Sequence, residues 1–216
     1  MIEKLAATPL LKSLPKEIIE EIASFSKLKS FAKGEILFYE NDAVDTIYYL
    51  LSGSLKFYKV DRFDNEIFLY KLPKNSLIFD LSKLCDEFII HCYANAEFLE
   101  ESEVLAIDSQ PFKHLMSTNQ NFLQCILKEA FLMIQQLQCV ISRDVVFDGA
   151  AKVAHMICED LENFNKLKKH EIAYMLHIQP ETLSRILKKF VRTNVIMIEQ
   201  NNVIIVDKEK LKSIFS

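Results

Sequence analysis

A chain of 216 residues, half of them hydrophobic, can bury a sizeable core and is long enough for two domains. Its apolar runs, such as Ile47 to Leu51 and Val203 to Val206, fall far short of the roughly 20 residues of a membrane span, and "MIEKLAATPLL" lacks the basic start and apolar core of a signal peptide, so a cytoplasmic protein with no membrane segment is expected. The formal net charge of −4 excludes a uniformly basic protein, yet residues 1–149 carry 15 Lys/Arg against 22 Asp/Glu while residues 150–216 carry 11 against 8.

"PKEIIEEIASF" has helical periodicity, with Pro15 suited to a first turn. From residue 30 to about 108 come short β-rich runs separated by turn residues: "EILFYE", "TIYYLL", "SLKFYKV", "EIFLYKL", "FIIHCYANAEFL" and "EVLAI". Gly34 and Gly53 punctuate them, and "DRFDN" reads as a hairpin connection. This regular spacing predicts an antiparallel sandwich or barrel within an α+β chain.

After Pro111 the period changes to that of a long helix. Leu123, Ile126, Ala130, Met133, Leu137 and Val140 recur at helical spacing and are expected to pack against a partner helix in a homodimer. A second stripe, Phe122, Leu127, Phe131, Ile134 and Ile141, is expected to cover the β-domain of the same chain.

Asp148-Gly149 reads as a break and N-cap before "AAKVAHMICEDLENF". "KKHEIAYMLHI" and "PETLSRILKKFVR" follow as two short helices, and "VIMIEQNNVIIV" as two β runs around Gln200-Asn201-Asn202. Helix, turn, helix and hairpin make a winged helix-turn-helix. The expected domains are therefore 1–111, a β-roll with an N-terminal helix; 112–147, the dimerisation helix; and 148–216, the winged helix-turn-helix.

Residues 163–192 hold 7 Lys/Arg against 2 Asp/Glu. Such a basic segment is a common footprint of phosphate binding, although a solvated helical face has the same composition. Pro180 fits the first position of a helix, where its missing N–H costs nothing. Glu181 and Arg185 then share a face with Ser184 beside them, in the part of a second helix that enters the DNA major groove. An Arg fork donates to guanine O6 and N7, and a carboxylate accepts from cytosine N4. A phosphate-binding surface gains nothing from an acid unless the acid selects a base, though an i,i+4 salt bridge is the competing account of the pair. Lys168, Lys169, Thr182, Lys188, Lys189 and Arg192 are positioned to meet phosphates of double-stranded DNA.

At these residues the chain resembles the Crp-Fnr family of bacterial transcription regulators, over nearly its whole length. "LPKEIIEEIASFSKLKSFAKGEILFYENDAVDTIYYLLSGSLKFYKV" is similar to the family's β-roll sensor, a double-stranded β-helix like the cyclic-nucleotide-binding domain. "HEIAYMLHIQPETLSRILKKF" is similar to its helix-turn-helix. Glu181-x-x-Ser184-Arg185 matches the Fnr-type triplet, which implies TTGA or TTGAT half-sites in an inverted repeat. An activating member also touches RNA polymerase. Pro180 stands where cAMP-receptor-type members carry another Arg, and His177 falls in the turn where the family often has Gly.

The resemblance leaves the signal open. Members that bind cyclic nucleotides hold the phosphate with a Gly-Glu pair and an Arg followed by Ser or Thr. Aligned on "EVLAI", those slots are Phe79-Asp80 and Cys92-Tyr93, and no Arg occurs between Arg62 and Arg143. A buried phosphate would lack its counter-charge, so cAMP is not expected. No cysteine precedes Cys85, which argues against an Fnr-type iron–sulfur cluster, and five scattered cysteines without CxxC argue against a disulfide framework or closed zinc site. Haem sensing of NO or CO is an alternative, with His91, Cys92, Cys85 and His114 as candidate ligands. Asp80, His91, Cys92 and Tyr93 are the candidate effector pocket. Phe79, Phe88 and Tyr93 filling it themselves would make a ligand-independent regulator. A cupin-like enzyme would need a facial set of metal ligands, but the five histidines form no HxH pair, and P-loop, GxSxG and HExxH motifs are absent, so no enzymatic activity is expected.

Overall fold

The computed structural model describes residues 2–78 and 90–215, which fall into two compact units, 1–136 and 137–216. Phe79, Asp80, Cys85 and Phe88 lie outside the described residues, as does the side chain of His91.

In the first unit, α1 (Ile2–Ala6) and α2 (Lys16–Ser24) precede β1 (Ser26–Phe31), β2 (Ile36–Phe38), β3 (Ala43–Val44), β4 (Thr46–Ser52), β5 (Ser54–Val60), β6 (Glu66–Pro73), β7 (Ser76–Ile78), β8 (Ile90–His91), β9 (Asn95–Phe98) and β10 (Ser102–Asp108). Among the described residues these make two four-stranded antiparallel sheets, ordered β1-β10-β4-β7 and β2-β9-β5-β6, with a short β3–β8 ladder. Alternation along β5 shows why: Leu55 and Phe57 are fully buried, Lys56 between them is not, and Phe57 stacks on Tyr70 at 4.7 Å. "DRFDN" closes the β5–β6 hairpin as expected. The Asp61 carboxylate accepts from the N–H groups of Phe63 and Asn65 at 2.7 and 3.0 Å, and Asp64 takes a left-handed φ of 62°.

Ile47, Tyr49, Leu77, Leu105 and Ile107 of the first sheet share one core with Leu5, Ile19 and Ile22 from the N-terminal helices. Phe112 and Leu115 from α3 (Ser109–Thr118) and Phe122 and Ile126 from α4 (Gln120–Ile141) complete it. Phe112 and Phe122 meet edge to face at 5.1 Å, which fixes how the start of α4 is rotated.

That rotation decides which side of α4 meets its own unit. Ile126 is buried, and Leu123, Ala130, Met133, Leu137 and Val140, assigned with it to a partner helix, are half-buried. The stripe expected to cover the β-domain keeps only Phe122 there: Leu127, Ile134, Ile141 and Phe131 are exposed, the last two at 61% and 67%. Periodicity reveals two faces but not which is anchored. Here Phe122 anchors one line, continued at seven-residue steps by Glu129, whose carboxyl is pushed up by burial, and Gln136, whose Nε2 donates to the Lys71 carbonyl of β6 at 2.9 Å. By length and composition, the stretch Gln120–Val146 is also apolar enough to cross a membrane, which counting uninterrupted apolar residues did not reveal.

In the second unit a π-helical turn (Ser142–Val146) leads to α5 (Gly149–Glu159), α6 (Leu161–Lys166), α7 (Lys169–Met175), α8 (Pro180–Arg192), β11 (Ile196–Glu199), β12 (Asn202–Ile205) and α9 (Lys208–Lys212). The Asp148 side chain caps α5 by accepting from the Ala151 N–H at 2.8 Å, as the sequence predicts. The core joins Val153, Ile157, Phe164, Ile172, Leu176, Leu183, Leu187, Phe190 and Val203. Gln200 and Asn201, both at positive φ, form the two-residue turn of the β11–β12 hairpin.

Gly53, between β4 and β5, has a φ of 86°, and a Cβ there would lie 2.0 Å from Ser102 Oγ. Gly53→Ala should cost about 2–3 kcal/mol in urea unfolding. Gly34→Ala, at the same φ of 86° but with nothing within 4 Å, should cost only about 1 kcal/mol.

Candidate nucleic-acid interface

The second unit positions its basic helix through two chain reversals. At the start of α7 the Glu171 carboxylate accepts from the Lys168 N–H at 2.7 Å. At its end, the Ile178 N–H reaches the Ala173 carbonyl at 3.0 Å and the His177 N–H reaches the Tyr174 carbonyl at 3.2 Å, a pairing that closes a helix on one left-handed residue. That residue is His177, at a φ of 53°. The turn thus keeps its geometry with His in a position favouring Gly, at a strain of about 1–2 kcal/mol. Pro180 then opens α8 at its first position, with Gln179 as N-cap. Asn194, at a φ of 55°, ends α8 in the same way, with the Val195 N–H on the Phe190 carbonyl at 2.9 Å.

Burial of Leu183, Leu187 and Phe190 on one side of α8 decides what the other side shows. Glu181, Arg185, Lys188, Lys189 and Arg192 are exposed, and Thr182 and Ser184 are half-buried. Lys168 and Lys169 are exposed at the start of α7. Among the described residues, neither Glu181 nor Arg185 belongs to an ion pair, so the competing salt-bridge account of the pair does not describe this structure. Both ends of an Arg and Glu constellation therefore face solvent from the first turns of a helix.

Sequence reasoning missed a carboxylate behind this surface. Asp144, in the π-helical turn, accepts from Arg143 Nε and Nη2 at 2.9 and 3.0 Å, and lies 3.9 Å from Lys152 Nζ and 4.0 Å from His177 Nε2. It therefore faces the left-handed turn between α7 and α8. An adjacent Arg143-Asp144 pair carries no periodic signal, because its further partners come from α5 and from a loop. Beside it, the His155 ring packs in a triangle with Phe147 and Phe215, at 5.5 and 5.2 Å, and burial holds its pKa below the ordinary histidine value, with Glu159 opposing and Arg143 adding to the shift.

In the first unit the structure gives opposite exposure to two residues expected to share a pocket. Cys92 is 2% exposed, whereas Tyr93 is 51% exposed, with Lys59 Nζ 4.2 Å from its ring centroid and held by Glu40 at 2.6 Å. His114 is exposed on α3. Among the described residues, no group of three or more His, Cys, Asp and Glu side chains could hold a metal ion.

Two family models match the chain: the cyclic nucleotide-binding domain over residues 28–119 and the Crp-like helix-turn-helix domain over residues 151–214. The cyclic AMP receptor protein of Thermus thermophilus is 24% identical over 196 residues, covering 88% of each chain. Among solved structures, a CooA mutant from Carboxydothermus hydrogenoformans superposes with a TM-score of 0.73 at 19% identity, covering 98% of each chain. A crp/fnr-family transcriptional regulator from Eubacterium rectale superposes at 0.68 with 18% identity, covering 96% of this chain and 97% of that one.

The depressed His155 pKa has a direction in stability. Below about pH 6.5 the unfolded chain takes up a proton that the folded ring resists, so this residue's contribution is intact above that pH and falls as the solution is acidified. Urea unfolding at pH 7.5 and 5.5 should show a larger loss for the native chain than for His155→Phe.

Proposed function

Because the chain belongs to the Crp-Fnr family of transcription regulators, we propose that it acts as a homodimer whose two copies of α8 read a TTGA-type inverted repeat in successive major grooves. The observation that carries this reading is the exposure of Glu181 and Arg185, unpaired among the described residues, on the early turns of α8. Arg185 donates its fork to guanine, Glu181 accepts from the cytosine amino group, and Ser184 adds a contact to the same half-site. Lys168, Lys169, Thr182, Lys188, Lys189 and Arg192 hold phosphates and set the docking angle.

The dimer uses the uncovered side of α4. Leu127, Phe131, Ile134 and Ile141 form a line that a second copy removes from water, and this use accounts for the apolar length of the helix without a membrane. The protein works where its DNA lies, in the cytoplasm, and its output passes through RNA polymerase.

The sensor does not take cyclic AMP in the family's manner. The Thermus relative is named for that nucleotide, but here Cys92 fills the Arg slot and no guanidinium lies between Arg62 and Arg143 to meet a phosphate. Adding cAMP is expected to leave the affinity for DNA unchanged; a tenfold tightening would contradict this assignment.

On a duplex with TTGA half-sites one helical turn apart, binding should weaken steeply with salt. Arg185→Ala should lose about 1–3 kcal/mol of discrimination against a substituted guanine, whereas Lys188→Ala should weaken all duplexes alike. Phe131→Glu should yield a monomer in sedimentation. Base readout is refuted if native protein and Arg185→Ala show the same ratio of affinities for the TTGA duplex and a scrambled one.

A further inference from the structure

The uncovered line of α4 is more regular than an apolar stripe needs to be. Gln124, Leu127, Phe131, Ile134, Gln138 and Ile141 alternate by three and four residues, and every one is exposed. That is the seam of a helix pair, with Gln124, Phe131 and Gln138 one heptad apart at equivalent positions. Two of these three positions therefore hold a primary amide where packing alone would favour an apolar side chain.

Gln136, a neighbouring glutamine on another side of the helix, shows what an ordinary role looks like. Gln136 is half-buried and donates to the Lys71 carbonyl within its own unit. Among the described residues, the Gln138 side chain makes no hydrogen bond, and Ile134 and Ile141 flank it along the seam. Closing the seam without a partner for that amide would leave donor and acceptor desolvated, which costs more than the packing returns. A carboxamide carries both, so two copies facing each other across a twofold axis satisfy one another, Nε2 of each donating to Oε1 of the other.

Resting on the dimer read above, we propose that Gln138, seconded by Gln124, sets the register of the α4 pair through amide-to-amide hydrogen bonds with its own copy. A slip of one heptad, roughly 10 Å along the axis, would place Gln138 against Phe131 and strand the amide among apolar side chains. The device trades stability for a single alignment, as polar residues in such seams do. The alignment matters because two copies of α8 must match grooves one helical turn apart.

Three variants test this in the full-length protein. Gln138→Leu should tighten the dimer at least tenfold in sedimentation equilibrium, and Gln138→Asn should leave it within a few-fold. In chains carrying Cys139→Ser, with one of the two proteins isotopically labelled so that the mixed product has its own mass, Ile134→Cys and Ile141→Cys proteins should give no 134-to-141 cross-link, while adding Gln138→Leu should produce one. An unchanged or weaker Gln138→Leu dimer without slipped cross-links overturns the proposal and leaves the dimer standing. If the native chain is monomeric throughout, or Phe131→Glu remains dimeric, the dimer reading itself fails.

Discussion

The side of α8 that Leu183, Leu187 and Phe190 bury is the constraint on which the rest of the molecule's function depends. Burying three large side chains against the second unit's core outweighs any surface electrostatic preference, since each contributes about 1.5–3 kcal/mol against a few tenths for an exposed i,i+4 pair. The basic face is consequently presented rather than negotiated. Once Leu183 is inward, Glu181 and Arg185 project from the first turns, and the charges that follow them line the rest of the exposed surface.

Strain is accepted where it keeps that helix aimed. His177 adopts a conformation suited to glycine, and Asp144 faces it from the π-helical turn, among Arg143 and Lys152. One carboxylate thus stands against both the linker and the turn before α8. A π-helical turn and a left-handed non-glycine residue are places where local conformational cost is tolerated for a positioning role.

Much of this was legible in the residues themselves. The β runs, the "DRFDN" hairpin, the Asp148 cap and Pro180 as the opening of α8 are local signals, carried by turn chemistry and capping within a few residues. The two stripes of α4 were also visible, but not which one is covered: that depends on Phe112 meeting Phe122, a contact between helices that periodicity does not encode. The Asp144 cluster stayed hidden for the same reason, since it assembles from three separate segments. Tyr93 follows Cys92 in sequence yet is exposed while Cys92 is buried, so a slot inherited from an alignment did not fix which way a side chain faces.

The division of labour between the two lines of α4 links these observations. One line, through Phe122, Glu129 and Gln136, is fixed to the first unit; the line through Phe131 and Gln138 is exposed. The most direct test of the central claim is affinity selection of random duplexes by the purified full-length chain. An enriched twofold-symmetric sequence with TTGA half-sites is the outcome this account requires. Recovery of unrelated or unsymmetric sequences, or no enrichment above input, would contradict it.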